Sequence, residues 1–377
     1  MPEPAIEVSV IADLDGLEPE VAANLRLRPL GFLYGSAANT AVARGEALPL
    51  AGGRIAFTRV EVLARRRNRA IAVLTGLNSL RLWSGKQGEA LRDRVDIQLA
   101  RLSEQRQSWA GLKLDRPLLM GIINVTPDSL YASAGSAPEQ AIARGRAMLD
   151  AGADIIDVGG ESTRPGAKPV PPEEEARRIE PVLRALAAAG ATVSVDTRHA
   201  PVMAAALSWG AKIINDVSAL TGDGSLETVA RAGASVVLMH MRGEPASMQS
   251  DPDYVLPSLD IADYLAQRIT VCTEAGVPPH RIVVDPGLGF GKTVAHNLEI
   301  LGRLGLFHGF GCGVLIGASR KSTIGRLDRA APVEARLPGS LAAALQALDQ
   351  GIQILRVHDV AETRQAVAVW QAIAAGA

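Results

Sequence analysis

Polar residues end eight short apolar runs between Leu118 and Asp359, and their types are suited to binding and activating a polar substrate. The residues that end the runs are Asn124, Glu161, Asp196, Asp216, His240, Asp285, Lys321 and Asp359. Carboxylates and an amide can pair with the donors of a flat heterocycle, and such a site rejects ligands that lack matching groups. Each residue alone could equally cap the helix that follows it. The eight together predict one rim of chemistry.

The apolar runs predict the elements that must position these side chains. Runs rich in Ile, Val and Leu are typical of parallel strands buried on both faces, and a helical pattern follows each run. Eight such units predict a (β/α)8, TIM-like barrel, whose active site lies at the carboxyl ends of its strands. Glycines precede several strands, where they suit helix ends, at 152, 190, 210, 233, 276 and 351. The alternative is a doubly wound open sheet, which the count of eight and the lack of a G-x-G-x-x-G turn disfavour.

The first part of the chain has a different pattern. We predict a small α+β region over residues 1–112, of unknown role, before a barrel over 113–377. The sequences EVSVIA and RIAFTRVEVLA resemble strands, and a polar helix is expected near 86–108. The basic cluster of Arg65, Arg66, Arg67 and Arg69 is interpreted as a solvated strand end, with an anion or partner patch as the alternative.

Composition limits the classes of partner and compartment. The 377 residues include 39 basic and 40 acidic side chains, and a net charge of -1 gives no general reason to expect nucleic acid or an anionic membrane as partner. Two cysteines, Cys272 and Cys312, are too few for a disulfide scaffold. No secretory signal or bilayer-spanning apolar stretch is evident in the sequence. We therefore predict a cytoplasmic protein.

Two segments near the end of the barrel predict an anion site. GASRKS at 317–322 follows the seventh run, where barrels often bind phosphate, and RVHD at 356–359 follows the eighth. Asn124 could supply a neutral oxygen to Mg²⁺, which usually keeps waters and shares its coordination with substrate phosphates. The histidines lack H-x-H or H-E-x-x-H spacing, so a catalytic zinc site is not expected.

Two glycine-rich segments predict loops over the site. GGESTRPG at 159–166 carries Arg164, which is suited to forked recognition of a carboxylate or phosphate, although it could also be an ordinary surface arginine. DPGLGFGKT at 285–293 lacks the first glycine of a Walker loop because Pro286 stands there. We therefore expect no nucleoside triphosphate at this segment, and we expect its glycines to let a loop carry Phe290 over a ligand.

The blocks resemble, in order, those of the dihydropteroate synthase family: NVTPDS, DVGGESTRPGA, SVDT, IINDV, LMHM, DPGLGFGK, GASRKS and RVHD. The match spans about residues 117–375. The resemblance implies a TIM-like barrel enzyme of folate synthesis. Its reaction would join 6-hydroxymethyl-7,8-dihydropterin pyrophosphate to p-aminobenzoate with release of pyrophosphate.

The resemblance also implies roles for individual residues. The pterin would be held by Asp196, Asn215, Met239, Asp285 and Lys321. The pyrophosphate would be held by Asn124 through Mg²⁺, and by Arg356 and His358. The p-aminobenzoate pocket would include Thr163, Arg164, Pro165, Phe290 and Ser319, and catalysis would depend mainly on Lys321, Arg164 and Asp196. The family is thought to lose pyrophosphate first, so that the arylamine attacks the resulting cation.

One departure from the family lies in the first loop. Where the family usually continues NVTPDS with Phe-Ser-Asp-Gly-Gly, this chain has LYASA at 130–134. Two alternatives follow: the same transfer to another arylamine, or a pterin-binding paralogue without catalysis. Retention of Arg164 and Pro165 disfavours the paralogue, because a pterin binder needs no arylamine clamp. Family members commonly pair through barrel helices, so a homodimer is a further expectation.

Overall fold

The N-terminal region forms a five-stranded sheet with four helices in the computed structural model, which describes residues 8–22, 24–67, 69–125, 137–162, 169–243, 248 and 252–376. The strands are β1 (Val8–Val10), β2 (Arg26–Leu33), β3 (Leu48–Pro49), β4 (Ala56–Arg66) and β5 (Arg69–Gly76). The helices are α1 (Pro19–Ala22), α2 (Gly35–Ala43), α3 (Leu77–Lys86) and α4 (Glu89–Ser103). This confirms the predicted α+β class.

The position of β2 in this sheet explains why the sequence pattern missed this strand. The strands run β1-β5-β4-β2, with β3 also paired to β4, so β2 lies at an edge. Pro29 and Gly31 interrupt the apolar pattern of β2, and proline is tolerated mainly in edge strands because it has no N–H for the ladder. The mostly polar helix α4 buries one stripe, formed by Val95, Leu99 and Leu102, against this sheet.

Eight parallel strands close the predicted barrel in chain order. They are β6 (Leu118–Asn124), β7 (Ile155–Gly159), β8 (Val193–Asp196), β9 (Ile213–Asp216), β10 (Ser235–Met239), β11 (Ile282–Asp285), β12 (Gly313–Ile316) and β13 (Ile354–Val357). The strands bury nearly all of their side chains, as their apolar runs predict. The division of the chain at residue 112 stays a prediction.

Helices surround the barrel and follow every strand. They are α5 (Ala137–Asp150), α6 (Pro172–Ala188), α7 (Ala200–Ser208), α8 (Ser225–Ala232), α9 (Pro257–Glu274), α10 (Val294–Gly302), α11 (Ser322–Leu327), α12 (Leu337–Asp349) and α13 (Val360–Gly376). All six glycines predicted at helix ends have positive φ, for example 62° at Gly233, which follows α8 directly.

Among the helices that the structure describes, none combines the length and the apolar character needed to cross a membrane.

Four of the predicted strand ends were wrong, because the strands stop earlier in the chain. Gly159 pairs with Asp196, which is the last residue of β8, so the ladder of β7 has no partner beyond that point. The strand before Lys321 ends at Ile316, and Arg320 has φ of 57°, outside the β region. The residues that lie beyond their strands are Glu161, His240, Lys321 and Asp359.

The segment between the two parts closes the amino-terminal end of the barrel. Trp109 is 1% exposed and belongs to a buried apolar cluster that includes residues from seven of the eight strands. Its indole Nε1 donates to the carbonyl of Arg281 at 3.1 Å, and the backbone N–H of Ala110 donates to Ser235 Oγ at 3.2 Å. The barrel is therefore filled at this end, and its opposite end is left for the polar rim.

A buried arginine joins this segment to the barrel. Arg106 donates to the carbonyls of Cys312 and His308, both at 3.0 Å, and to those of Arg101 and Glu104 near the end of α4. Burial lowers the pKa of Arg106 to about 10. One guanidinium thus satisfies backbone carbonyls from both parts of the molecule.

We predict that Arg106→Leu lowers the free energy of unfolding by about 3 kcal/mol, because it removes charged hydrogen bonds and leaves buried carbonyls unpaired. Urea unfolding followed by circular dichroism measures this. Arg92→Leu is the control, since Arg92 is half exposed and its ion pairs within the described residues are with Glu89 and Asp93 of α4. A loss below about 0.5 kcal/mol for Arg106→Leu, as expected of a surface position, would contradict the role of this contact.

Candidate active site

The carboxyl ends of four neighbouring strands bring predicted site residues into one layer. Asn124 of β6 pairs in register with Gly159 of β7, which pairs with Asp196 of β8, which pairs with Asn215 of β9. A side chain at Gly159 would lie 3.4 Å from Asp196 Cβ and 3.6 Å from Asn124 Oδ1. The glycine therefore leaves room between the amide and the carboxylate.

A largely buried guanidinium, with its side chain 19% exposed, joins several strands of the site. Arg356, from β13, donates through Nε to Asp157 Oδ2 and through Nη2 to Asp196 Oδ2, both at 2.7 Å. Asn215 Nδ2 donates to the same Asp157 oxygen at 3.0 Å. Three residues predicted for two different subsites, Asp196, Asn215 and Arg356, are thus joined in one network through Asp157.

Asp157 was not identified from the sequence. It lies within the run DIIDVGGE, is fully buried, and its Oδ1 has no hydrogen-bond partner among the described residues. A charged residue inside a run predicted to be buried on both faces is itself a signal, because an unpaired buried carboxylate is strongly unfavourable. That signal could have identified Asp157, whereas its contacts with Arg356 and Asn215 could be identified only from the fold.

A second group of residues surrounds Asp285. Met239 and Asp285 pair in register at the ends of β10 and β11, and both are buried. Asp285 Oδ1 accepts the N–H of Gly287 at 2.7 Å. Burial raises the pKa of Asp285, while Lys321 and Arg356 act in the opposite direction, so the carboxylate lies within the electrostatic reach of both cations.

Lys321 and Phe290 meet across the loops after β12 and β11. The Lys321 ammonium lies 4.3 Å from the centroid of the Phe290 ring, within the range of a cation–π contact. A side chain at Gly289, whose φ is 80°, would lie 3.4 Å from Lys321 Cδ. Glycine at this position lets the loop that carries Phe290 approach Lys321; the predicted placement of Phe290 over a ligand stays a prediction.

Ser319 and His358 form a pair beside Arg356. Ser319 Oγ accepts the backbone N–H of His358 at 3.2 Å and lies 3.0 Å from His358 Nδ1. Burial, together with Arg356 and other nearby arginines, lowers the pKa of His358 to about 3. The imidazole is therefore neutral near pH 7, and it can contribute a hydrogen bond rather than a positive charge.

Two of the polar residues predicted at strand ends stabilise local structure and do not join the group around Arg356. Glu161 pairs with Arg198 at 3.1 Å and accepts the N–H of Val170 at 3.1 Å, so it holds the segment that precedes α6. Asp216 accepts both the N–H and the hydroxyl of Ser218 at 2.7 Å, as a turn-forming aspartate does.

The remaining two ends are also engaged with neighbours. Arg320, a member of the predicted anion cluster, forms an ion pair with Asp359. His240 Nδ1 lies 3.0 Å from Lys292 Nζ, which also donates to the carbonyls of His240 and Phe290. Burial lowers the pKa of His240 to about 2 and that of Lys292 well below its usual range. Lys292, unassigned in the sequence analysis, thus anchors the loop that carries Phe290.

Some predicted residues lie outside the part of the chain that the structure describes. They are Thr163, Arg164 and Pro165 of the second loop and residues 130–134 of the first loop. Their predicted roles therefore stay predictions.

The donor set fits a magnesium ion that is held mainly by substrate and water. Among the described residues, no group of three or more His, Cys, Asp or Glu could hold a metal ion. The half-buried Asn124 provides one amide oxygen at the end of β6. Mg²⁺ characteristically uses one or two protein oxygens together with phosphates and water, so this single donor is compatible with it.

Comparison with known proteins adds independent information. A family model described as pterin binding enzyme matches residues 120–358. The dihydropteroate synthase of Neisseria meningitidis serogroup B is 47% identical over 268 residues, which cover 69% of this chain and 94% of the relative. That of Escherichia coli K12 is 46% identical over 265 residues, covering 70% and 93%.

Solved structures agree with these relatives. Dihydropteroate synthase from Xanthomonas albilineans with 4-aminobenzoic acid has a TM-score of 0.67 and 46% identity, covering 70% of this chain and 96% of its own. The same enzyme in complex with 7,8-dihydropteroate has a TM-score of 0.64 and 43% identity, covering 70% and 95%. The family match begins at residue 120, so the N-terminal sheet lies outside it.

Asp196 should titrate near neutral pH. Burial raises its pKa to about 7; Arg356 opposes this rise, and Asp157 adds to it. We expect carboxyl ¹³C NMR, with Asp196→Asn to assign the resonance, to show a midpoint near pH 7. Arg356→Gln should move the midpoint higher, because it removes the cation that favours the ionised form. A midpoint near the value of about 4 for an exposed aspartate would contradict this environment.

Proposed function

The chain belongs to the dihydropteroate synthase family of pterin-binding enzymes, and we propose that its strand-end residues divide the family reaction among three adjoining subsites. It is a transferase that condenses 6-hydroxymethyl-7,8-dihydropterin pyrophosphate with p-aminobenzoate to give 7,8-dihydropteroate and pyrophosphate. The resemblance inferred from the sequence blocks is confirmed. The observation that carries the division into subsites is the pairing of Arg356 with Asp157 and Asp196.

We propose that the pterin lies against Asp196, Asn215 and Asp285, with Met239 packed beside it. The pterin edge presents a guanidine-like row of N–H donors, which two carboxylates and an amide oxygen can accept. Because Asn215 Nδ2 already donates to Asp157, the orientation of this amide is fixed and its oxygen is directed to another donor. Asp157 thereby acts as a positioning residue for the pterin subsite.

The pyrophosphate subsite is proposed at Arg356, His358 and Asn124. Ser319 Oγ accepts the backbone N–H of His358, so its hydroxyl hydrogen can be donated to Nδ1 of the ring. This assignment leaves the proton of neutral His358 on Nε2, from which it can be donated to a phosphate oxygen. When bound, Mg²⁺ would be held by Asn124 and by pyrophosphate oxygens, and it would stabilise the negative charge of the leaving group.

The p-aminobenzoate subsite is proposed around Phe290, Ser319 and Lys321. Thr163, Arg164 and Pro165 would complete it from the second loop. The Lys321 ammonium is close to the Phe290 ring and also influences Asp285, so it lies between the arylamine and pterin subsites. This placement supports a role for Lys321 with both substrates.

The geometry supports departure of pyrophosphate before attack by the amine. The bond between the pterin methylene carbon and the pyrophosphate oxygen breaks, and its electron pair leaves with the pyrophosphate. The buried Asp157 and Asp285 and the partly exposed Asp196 place carboxyl groups near the proposed pterin subsite, where negative charge favours the delocalised cation. The amine nitrogen of p-aminobenzoate then attacks the methylene carbon and gives up a proton.

We further propose a cytoplasmic homodimer. Cys272 and Cys312 are free, buried thiols, which is consistent with a reducing compartment. Val369 and Ile373 are 56% and 68% exposed one turn apart on α13, an apolar pair suited to contact with a second copy. Cell fractionation and light scattering of the purified protein test the two proposals.

Lys321→Ala is expected to lower kcat/KM by about a hundredfold or more, because it removes a preorganised cation from the reacting centre. Steady-state kinetics with each substrate varied in turn measures this. Lys212→Ala removes an exposed lysine at the opposite end of the barrel and should leave the kinetics unchanged. Equal kinetics for the two variants would exclude Lys321 from the site.

Asp157→Asn should lower kcat by about tenfold to a hundredfold without raising KM for the pterin substrate. The amide can still accept hydrogen bonds from Arg356 and Asn215, but the negative charge that favours the cation is lost. Asp157→Ala, in contrast, should raise KM as well, because both partners lose their acceptor. If Asn and Ala had the same effect, Asp157 would serve the packing of the barrel alone.

A further inference from the structure

An arginine-lined cleft lies between the N-terminal region and the barrel, outside the active site. It has a volume of about 810 Å³, within the range of small-molecule sites. Five arginines line it, Arg26, Arg65, Arg67, Arg94 and Arg101, against two aspartates, Asp93 and Asp263. The cleft therefore carries an excess of positive charge in a chain whose net charge is only -1.

Ion pairs between the two parts of the molecule form one side of the cleft. Asp263 of α9 accepts from Arg26 at 2.8 Å and from Arg65 at 3.0 Å, and Arg65 also pairs with Asp260. These contacts hold β2 and the end of β4 against the barrel. They also give Arg65, from the basic cluster noted in the sequence, a structural role.

The opposite side of the cleft is one stripe of α4. Ala90, Arg94, Ile97, Gln98 and Arg101 line the cleft, at the spacing of one helix face. Gln98 fixes this face, because its amide accepts the N–H of Leu27 at 3.0 Å and donates to the carbonyl of Leu25 at 2.9 Å. The position of the arginines on either side of Gln98 is thus determined by the edge strand β2.

Arg94 and Arg101 have no ion-pair partner within the described residues, unlike Arg26 and Arg65. They lie two helical turns apart, about 10 Å along the axis. Between them Ile97 is 52% exposed and offers an apolar surface. The aliphatic part of Arg101 lies against Gly311, where an added Cβ would come within 3.4 Å of Arg101 Cγ. Arg101 therefore lies where α4 contacts the barrel.

We propose that the cleft binds a small phosphorylated ligand of nucleotide size. Forked guanidinium groups suit phosphate oxygens, and the exposed Ile97 suits the face of an apolar ring. Most of the residues that line the cleft lie before residue 120, where the family match begins, and the site would therefore give the N-terminal region a binding role of its own. The proposal is independent of the reaction at the strand ends.

Isothermal titration of the full chain with ATP tests the proposal. Binding should weaken at least about tenfold in Arg94→Gln/Arg101→Gln, because each variant residue loses charge-assisted hydrogen bonds. Arg44→Gln/Arg81→Gln removes the same charge from exposed positions of the N-terminal region outside the cleft and should leave ATP binding unchanged. Transferase activity without ATP should be equal in all three proteins.

Further titrations exclude the alternatives. ATP binding should persist in Lys321→Ala, and its loss there would place the nucleotide in the active site and overturn the proposal. Equal weakening in both arginine pairs would show a general charge effect and would also overturn it. Absence of ATP binding to the unaltered chain, or capture of an Asp- and Glu-rich peptide without ATP binding, would exclude a nucleotide-sized ligand.

Discussion

The catalytic end of the barrel depends on one largely buried cation. Arg356 lies between Asp157 and Asp196, and removing such a charge from water is costly unless its partners are well placed and ionised. Those partners come from β7 and β8, and Asn215 on β9 shares the oxygen of Asp157. The guanidinium thus connects side chains on four strands, and it would place the proposed pterin and pyrophosphate subsites next to each other.

The same constraint shapes the electrostatics of the site. Several carboxylates within one apolar barrel would repel each other, and burial raises the pKa of Asp196 and Asp285. Arg356 and Lys321 offset this repulsion without neutralising all of it. A site with residual negative charge is suited to a transition state in which positive charge develops on the pterin. His358, whose pKa is lowered by burial and by nearby arginines that include Arg356, is suited to donate a hydrogen bond to the proposed pyrophosphate group while the cations provide the charge.

Much of this fold could be predicted from the sequence, because eight buried parallel strands leave a strong pattern. The glycines at helix ends were also predicted, because the residue that follows a helix commonly adopts the left-handed conformation, which glycine favours. The edge strand β2 was missed because Pro29 and Gly31 break its pattern. Of the eight polar residues predicted at strand ends, four stabilise local structure, a distinction that spacing alone does not make; they are Glu161, Asp216, His240 and Asp359.

The residues missed at the site share a physical cause. Asp157 and Lys292 are defined by partners far away in the sequence, so their contacts arise only when the barrel closes. The arginine cleft is a similar case, because β2, the end of β4, α4 and α9 meet there only in the folded chain. The N-terminal region also contributes the buried Arg106, which connects it to the barrel through backbone carbonyls.

The most direct test of this account follows pyrophosphate release and 7,8-dihydropteroate formation together, with purified protein, Mg²⁺, the pterin pyrophosphate and p-aminobenzoate. The account predicts equal amounts of both products. Pyrophosphate release without dihydropteroate would show that the cation forms while p-aminobenzoate is not the acceptor. Binding of the pterin with neither product formed would contradict the assignment of catalysis to the strand-end residues.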